Sequence, residues 1–226
     1  MGTATPSHGR VRGGRGAAAT RGGLRSSVTG RRGQILAAAA GMFAARGFHG
    51  VSVDDIGAAV GISGPALYRH FPSKEALLAD MLVEVSEDLL AGGRARAGGD
   101  PAAALARLVD FHIDFAVTNQ NVISVQDRDL DTVPERARRR VRRLQREYVE
   151  VWVGVMVRAV PGRDEPTARS AVHAVFGLLN STPHLQHRRG ALSGPDQVAG
   201  LLRRMALAAL REAGPAAGAG PGPGGG

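Results

Sequence analysis

The sequence predicts an all-α chain, and three observations point there. Apolar residues recur three and four apart over long stretches, as on one face of a helix. Candidate helix starts carry capping residues, Ser52, Ser63, Ser73 and Asp100, with Pro65, Pro101 and Pro134 in or beside the first turn. Glycines such as Gly47 and Gly61 stand where the periodic runs stop. The pattern divides the chain into a three-helix N-terminal unit with a helix-turn-helix, over 31–76, and a longer helical unit over 77–213.

In chain order, residues 1–30 are mostly Gly, Arg, Ala and Ser, with no acidic residue before Asp54, and are expected to form a disordered basic arm. Arg21, Arg25, Arg31 and Arg32 lie just ahead of or at the first helix, where they would follow a DNA backbone or enter a narrow minor groove. For residues 1–20 a dispensable tail or a mis-assigned start reads equally well. The first helix spans Arg31 to Arg46 and buries Ile35, Leu36, Ala39, Ala40 and Phe43. Gly47 ends it, and Phe48 and Val51 return to the core.

Ser52 followed by Asp55 has the form of a capping box, so a second helix begins at Val53 and continues with Ile56 and Val60 inward. Gly61 stops it, because glycine turns the chain through positive φ without strain. Ser63 caps a short third helix. Two short helices joined by about three residues containing Gly make a helix-turn-helix. At about 100° per residue, Gly64, Leu67 and Phe71 fall on one side of the third helix. Pro65, Ala66, Arg69 and His70 fall on the other, with Tyr68 on the flank. An outer side with a cation, an imidazole and a phenol suits a recognition helix meeting base edges and phosphates. Ser73 then caps a helix that opens with Lys74, where amides and a cation suit a backbone phosphate.

The string from Gly57 through Gly61, Ile62, Ser63, Leu67, Tyr68, His70, Phe71, Ser73, Lys74 and Leu77 resembles the helix-turn-helix and tail of the TetR/AcrR family of bacterial repressors, and the likeness runs from Ile35 to Leu78. That resemblance implies phosphate contacts for Tyr68, His70 and Lys74. Three positions depart from the family pattern: Gly57 replaces a usual alanine, Val60 another small residue, and Ala66 a frequent threonine. The expected DNA-contact set is Arg31, Arg32, Ser52, Ser63, Gly64, Pro65, Ala66, Tyr68, Arg69, His70 and Lys74.

The helix from Ser73 is expected to run to about Ala91, linking the two units, with residues 92–99 (GGRARAGG) a flexible break. Asp100-Pro101 starts a helix to Thr118 carrying Leu105, Leu108, Val109, His112 and Phe115 inward. A shorter element and a polar turn at 127–134 follow. Pro134 opens a helix to about Val160, with Ala137, Val141, Leu144, Tyr148, Val151, Trp152 and Val155 on one arc. Arg136, Arg138, Arg139, Arg140, Arg142, Arg143 and Arg146 occupy the other arc, read as a solvated face, with an acidic ligand head group as the alternative. Helices at Glu165–Thr182 and Pro195–Ala213 complete the chain, and residues 214–226 are a Gly/Pro tail expected to be disordered. By resemblance these last two helices pair across a two-fold axis, which implies a homodimer.

Composition narrows the function classes. The formal charge of +9 favours a polyanionic partner, and nearly all of it is arginine; Lys74 is the sole lysine. No cysteine is present, which excludes disulfides and thiolate chemistry and fits a reducing compartment. No run of 18 apolar residues would span a membrane, and the expectation is a cytoplasmic protein. His184 and His187 are three apart and Asp127, Asp129 and Asp131 alternate, but neither set completes a metal motif. There is no P-loop, nucleophile elbow or dinucleotide fingerprint, so no enzyme, cofactor or metal site is expected.

The expectation is a ligand-responsive transcriptional regulator, most naturally a repressor, that binds operator DNA as a dimer and is released by a hydrophobic effector. Aliphatic inward residues in helices 101–182, similar to those of some family members that respond to acyl-CoA or other lipids, point to a lipid or acyl thioester. The expected pocket residues are His112, Phe115, Trp152, His173, Phe176 and Asn180. Two other classes fit the residues: a ligand-independent DNA-binding or architectural protein whose C-terminal domain only dimerises, and a protein-interaction module using the arginine face.

Overall fold

The structure, a computed structural model, describes residues 30–185 and 194–212. The expected basic arm, apart from its last residue, His187 and the Gly/Pro tail lie outside the described residues.

Ten α-helices order the described chain: α1 (Arg31–Arg46), α2 (Val53–Ala59), α3 (Gly64–Tyr68), α4 (Lys74–Arg96), α5 (Pro101–Thr118), α6 (Gln120–Asp129), α7 (Glu135–Ala159), α8 (Glu165–Leu179), α9 (Thr182–Leu185) and α10 (Pro195–Glu212). A 3-10 turn, Leu130–Thr132, joins α6 to the approach to α7. The starts follow local chemistry. Ser52 accepts from the Asp55 amide while the Asp55 carboxylate accepts from the Ser52 amide, a complete capping box. Ser63, Ser73, Asp100 and Asp164 cap α3, α4, α5 and α8 with the one-way bond alone, each side chain accepting from an amide three residues on. Gly47 and Gly61 adopt φ of 79° and 71°, as the stops require.

Two apolar cores form. The N-terminal core gathers Ile35, Leu36, Phe43, Ile56, Leu67 and Phe71 with the inner side of α4 as far as Val85. It also takes Phe115 from α5, Val122, Ile123 and Val125 from α6, and Val133 and Val141 from around the start of α7. The division expected at residue 76 therefore falls within α4, whose first turns belong to the DNA-side core. The second core joins Leu90 of α4 to the inward faces of α5, α7, α8 and α10 around the fully buried Trp152. At the end of this core the Arg163 guanidinium is buried and donates to the Leu210 carbonyl at 2.6 Å, closing the C-terminal end of α10.

The expected flexible break at 92–99 is instead largely helical, since α4 continues to Arg96. The reason is packing. A side chain at Gly92 would run into the Phe111 ring, and a Cβ at Gly93 would lie 2.5 Å from Tyr148 Cε2. Glycine costs a helix about 1 kcal/mol against alanine, but here it lets two aromatic rings press on the α4 backbone. The α7 helix also buries more than the expected stripe, because Val149, Val153 and Met156 are covered too.

Candidate nucleic-acid interface and the aromatic cluster behind it

The fold brings the outer side of α3 to the surface. Leu67 and Phe71 are fully buried, while Tyr68 is 52 % exposed and Pro65, Arg69 and His70 are exposed beside it, with Ala66 half-buried. Among the described residues the side chains of Tyr68, Arg69 and His70 make no hydrogen bond or ion pair. A phenol, a guanidinium and an imidazole therefore stand together on one free face, each able to donate to an anionic oxygen.

The other residues expected at DNA are engaged inside the protein. Arg31 donates to the Val60 carbonyl at 2.9 Å, tying α1 to the end of α2. Arg32 pairs with Asp80 at 2.8 Å and with Glu84, and its guanidinium lies 5.0 Å from the centre of the Phe71 ring. It pins α1 to α4 rather than standing free. Gly64 is buried under Asp54, whose carboxylate occupies the space a side chain there would need. Ser52 and Ser63 are exposed but use their hydroxyls as helix caps. Lys74 donates to the carbonyls of Phe48 at 3.0 Å and Val51 at 2.8 Å and sits 4.3 Å from the Phe48 ring centre. Two of its three N–H groups are thereby used to fix the loop before α2. At Gly57, where the family pattern has alanine, a Cβ would lie 2.7 Å from the Ile62 carbonyl, so glycine suits this tight α2–α3 turn.

Behind this unit, α5, α7 and α8 bring five polar or aromatic side chains together. His112 is buried, with Nδ1 3.2 Å from the Tyr148 hydroxyl and Nε2 3.0 Å from Asn180 Oδ1. The carbonyl oxygen of Asn180 accepts, so Nε2 carries the proton and Nδ1 accepts from the Tyr148 O–H. Burial lowers the His112 pKa to about 4, with the Asn180 hydrogen bond opposing it, and keeps the ring neutral at pH 7. Burial likewise raises the Tyr148 phenol, which stays protonated. The rings of His112 and Phe176 stack 4.8 Å apart, Tyr148 lies nearly parallel to both, and Trp152 stands edge-on to all three.

Of the expected pocket residues, His112, Trp152, Phe176 and Asn180 meet in this cluster and Phe115 borders it, 5.9 Å from His112 between ring centres. His173 does not: it is exposed on α8, in a stripe with Ser170, Ala174 and Gly177. Tyr148 was missed as a site residue, although its place one turn before Trp152 on the inward arc was the available signal. Among the described residues no three His, Asp or Glu side chains come together as a metal site. A groove of about 660 Å³ lies on the opposite, outer side of α7, lined by Arg136, Arg139, Arg140, Arg142, Arg143 and Arg146. Several of these are paired, Arg139 with Glu135, Arg140 with Glu87 and Arg142 with Asp131, as on a solvated face.

Residues 35–81 match the family model for bacterial regulatory proteins of the tetR family, and residues 98–210 match the tetracyclin repressor-like C-terminal domain. The chain belongs to the TetR family. This TetR-family chain is 32% identical over 134 residues to the HTH-type transcriptional repressor KstR2 of Rhodococcus jostii (strain RHA1), covering 58% of the chain and 66% of that protein. It is 38% identical over 87 residues to the HTH-type transcriptional activator FasR of Mycolicibacterium smegmatis, covering 38% of the chain and 40% of that protein. The match thus spans less than two thirds of the length of either relative. Among solved structures, a TetR-family transcriptional regulator from Bordetella parapertussis 12822 superposes with a TM-score of 0.67 at 27% identity, over 79% of this chain and 95% of that one. No helix among the described residues is long and apolar enough to cross a membrane.

Proposed function

We propose that this TetR-family protein is a ligand-responsive transcriptional regulator, a repressor released from a pseudo-palindromic operator by a hydrophobic small molecule. The observation that carries the DNA-binding part is the free face of α3, where Tyr68, Arg69 and His70 stand exposed without partners among the described residues. Pro65 and Ala66 complete that face, and a duplex would receive it in the major groove. Lys74 keeps one N–H for a phosphate while holding the loop that positions α2. Arg31 and Arg32 act by pinning α1 to α2 and α4, so that α3 is presented on a rigid base. Repression rather than activation is supported by KstR2, the relative aligned over the longer stretch.

The dimer would form through α8 and α10, where Ala174 and Gly177 on one helix, and Met205, Ala208 and Ala209 on the other, are exposed small or apolar residues. A two-fold pair places two α3 faces about one helical turn of DNA apart. The effector would enter the cluster of His112, Tyr148, Trp152, Phe176 and Asn180. Tyr148 presses on Gly93 of α4, and α4 begins at Lys74 beside the DNA-binding loop. A ligand that displaces Tyr148 therefore favours a different seat for α4, and operator affinity follows from its preference between the two states.

A ligand-independent DNA-binding protein is the second reading, and the way the cluster is filled by its own stacked rings favours it. Footprinting across the DNA upstream of the protein's own gene, with and without hydrophobic compounds, separates them. The proposal expects a protected inverted repeat that is lost with at least one such compound. Protection that none of them relieves selects the second reading, and absence of protection refutes both.

A further inference from the structure

We propose that the effector carries a neutral hydrogen-bond acceptor, a ketone, ester or thioester carbonyl, that takes the indole N–H of Trp152. This rests on the effector site proposed above and specifies its chemistry. Trp152 is fully buried, and its N–H, which bears on the Tyr148 hydroxyl, makes no hydrogen bond of regular geometry. Buried N–H groups are rarely left so, because water has been stripped away with nothing in exchange.

The two other buried donors beside it, on Tyr148 and His112, are already committed. The Tyr148 O–H goes to His112 Nδ1, and His112 Nε2–H goes to Asn180. The indole N–H is the buried donor of the cluster that remains for a ligand.

Charge then selects the acceptor. His112 is held neutral by burial. The guanidinium of Arg96 is held on the α4 side of the cluster, donating to the Gly92 carbonyl at 2.9 Å and lying 4.1 Å over the Phe111 ring. A carboxylate or phosphate brought to Trp152 would give up strong hydration beside a neutral imidazole and a protonated phenol, with one neutral N–H in exchange, whereas a carbonyl gives up less and is matched by that donor. Shape agrees. Phe176 is the half-buried outer member of the ring stack, so an apolar body that displaces it gains the face of His112 and reaches the edge of Trp152.

Trp152 is the single tryptophan in the chain, so its indole 15N–1H resonance reports on this atom alone. The test titrates the full-length protein, without DNA, with 2-undecanone, S-decanoyl-N-acetylcysteamine and decanoate. The ketone and the thioester are expected to move the indole proton downfield and to bind roughly tenfold or more tightly than decanoate. Trp152→Phe, which keeps a ring but no donor, is expected to weaken ketone binding by roughly three- to tenfold, as loss of one hydrogen bond would. Should Trp152→Phe fail to fold, the indole shift and the ketone-to-decanoate affinity ratio in the wild-type protein carry the test.

Decanoate binding as tightly as the ketone, or ketone binding with an unmoved indole proton, overturns the proposal. Failure of all three probes to bind overturns it too. Operator release is measured separately with the same compounds. Release without an indole shift sinks this inference and leaves the proposed function standing; an indole shift without release does the reverse.

Discussion

Replacing Gly93 with alanine tests how tightly the aromatic cluster is locked onto α4. Helix propensity alone predicts stabilisation of about 1 kcal/mol, because alanine loses less backbone entropy than glycine. The structure predicts the opposite sign. The new Cβ would lie 2.5 Å from Tyr148 Cε2 and 2.9 Å from Cδ2, distances that non-bonded carbons do not share. Tyr148 is 4 % exposed, hydrogen-bonded to His112 and stacked against two rings, so it has no free space to retreat into. Overpacking of this kind costs about 1–3 kcal/mol, and a displaced phenol leaves His112 Nδ1 unpaired at about 1–3 kcal/mol more. After the propensity gain is subtracted, a net loss of about 1–5 kcal/mol remains, centred near 3. Gly154→Ala is the matched control, since its Cβ would meet Arg158 Nη1 at an ordinary 3.6 Å. Urea unfolding at fixed protein concentration should show Gly93→Ala destabilised and Gly154→Ala unchanged or stabilised. Gly93→Ala should also weaken operator binding without any effector, because it moves Tyr148 as a ligand would. If Gly93→Ala is stabilised like the control, the contact is soft and the proposed route from cluster to α4 is wrong.

Two further outcomes follow from groups held inside the protein. Lys74→Met removes the donor shared by the Phe48 and Val51 carbonyls and should lower stability by about 1–2 kcal/mol, given that Lys74 is only half-buried; a melting temperature equal to wild type would show that the loop holds without it. For His112 the folded-state pKa is about 4 against an ordinary value of 6.5. As pH falls below about 6.5 the unfolded chain takes up a proton that the folded chain refuses until about 4. Stability should therefore decline across that window, by on the order of 3 kcal/mol in all, and level off below it. Urea midpoints from pH 7.5 to 4 measure this, and a decline equally steep in His112→Gln would assign it to other groups.

Much of the fold could be read from local chemistry. The bounds of α1 and α5 match the expectation because each is set by residues within one turn: Gly47 after Arg46, and Asp100 with Pro101. The free face of α3 was legible because a five-residue helix and the turn after it, with Leu67 and Phe71 inward, have little choice about what they show. What was missed depends on partners distant in sequence. Arg31 finds its carbonyl 29 residues away, and Arg32 its carboxylates 48 and 52 residues away, so both looked like free cations. Gly92 and Gly93 looked like a break because nothing near them announces Phe111 and Tyr148. His173 shares α8 with Phe176 and Asn180, but a three-residue offset turns it to the outer side, and helical spacing alone did not say which of the two was inward.

The account depends most on the side of α3 that bears Tyr68, Arg69 and His70. Affinity of Tyr68→Ala for the footprinted operator, measured at one fixed salt concentration, tests it directly. Loss of one phosphate contact should cost about 1–3 kcal/mol, a fall of roughly five- to 150-fold. The unfolding midpoint should stay at the wild-type value, because a side chain 52 % exposed and without partners among the described residues carries little of the fold. Wild-type operator affinity in that variant would contradict the assignment of this face to DNA.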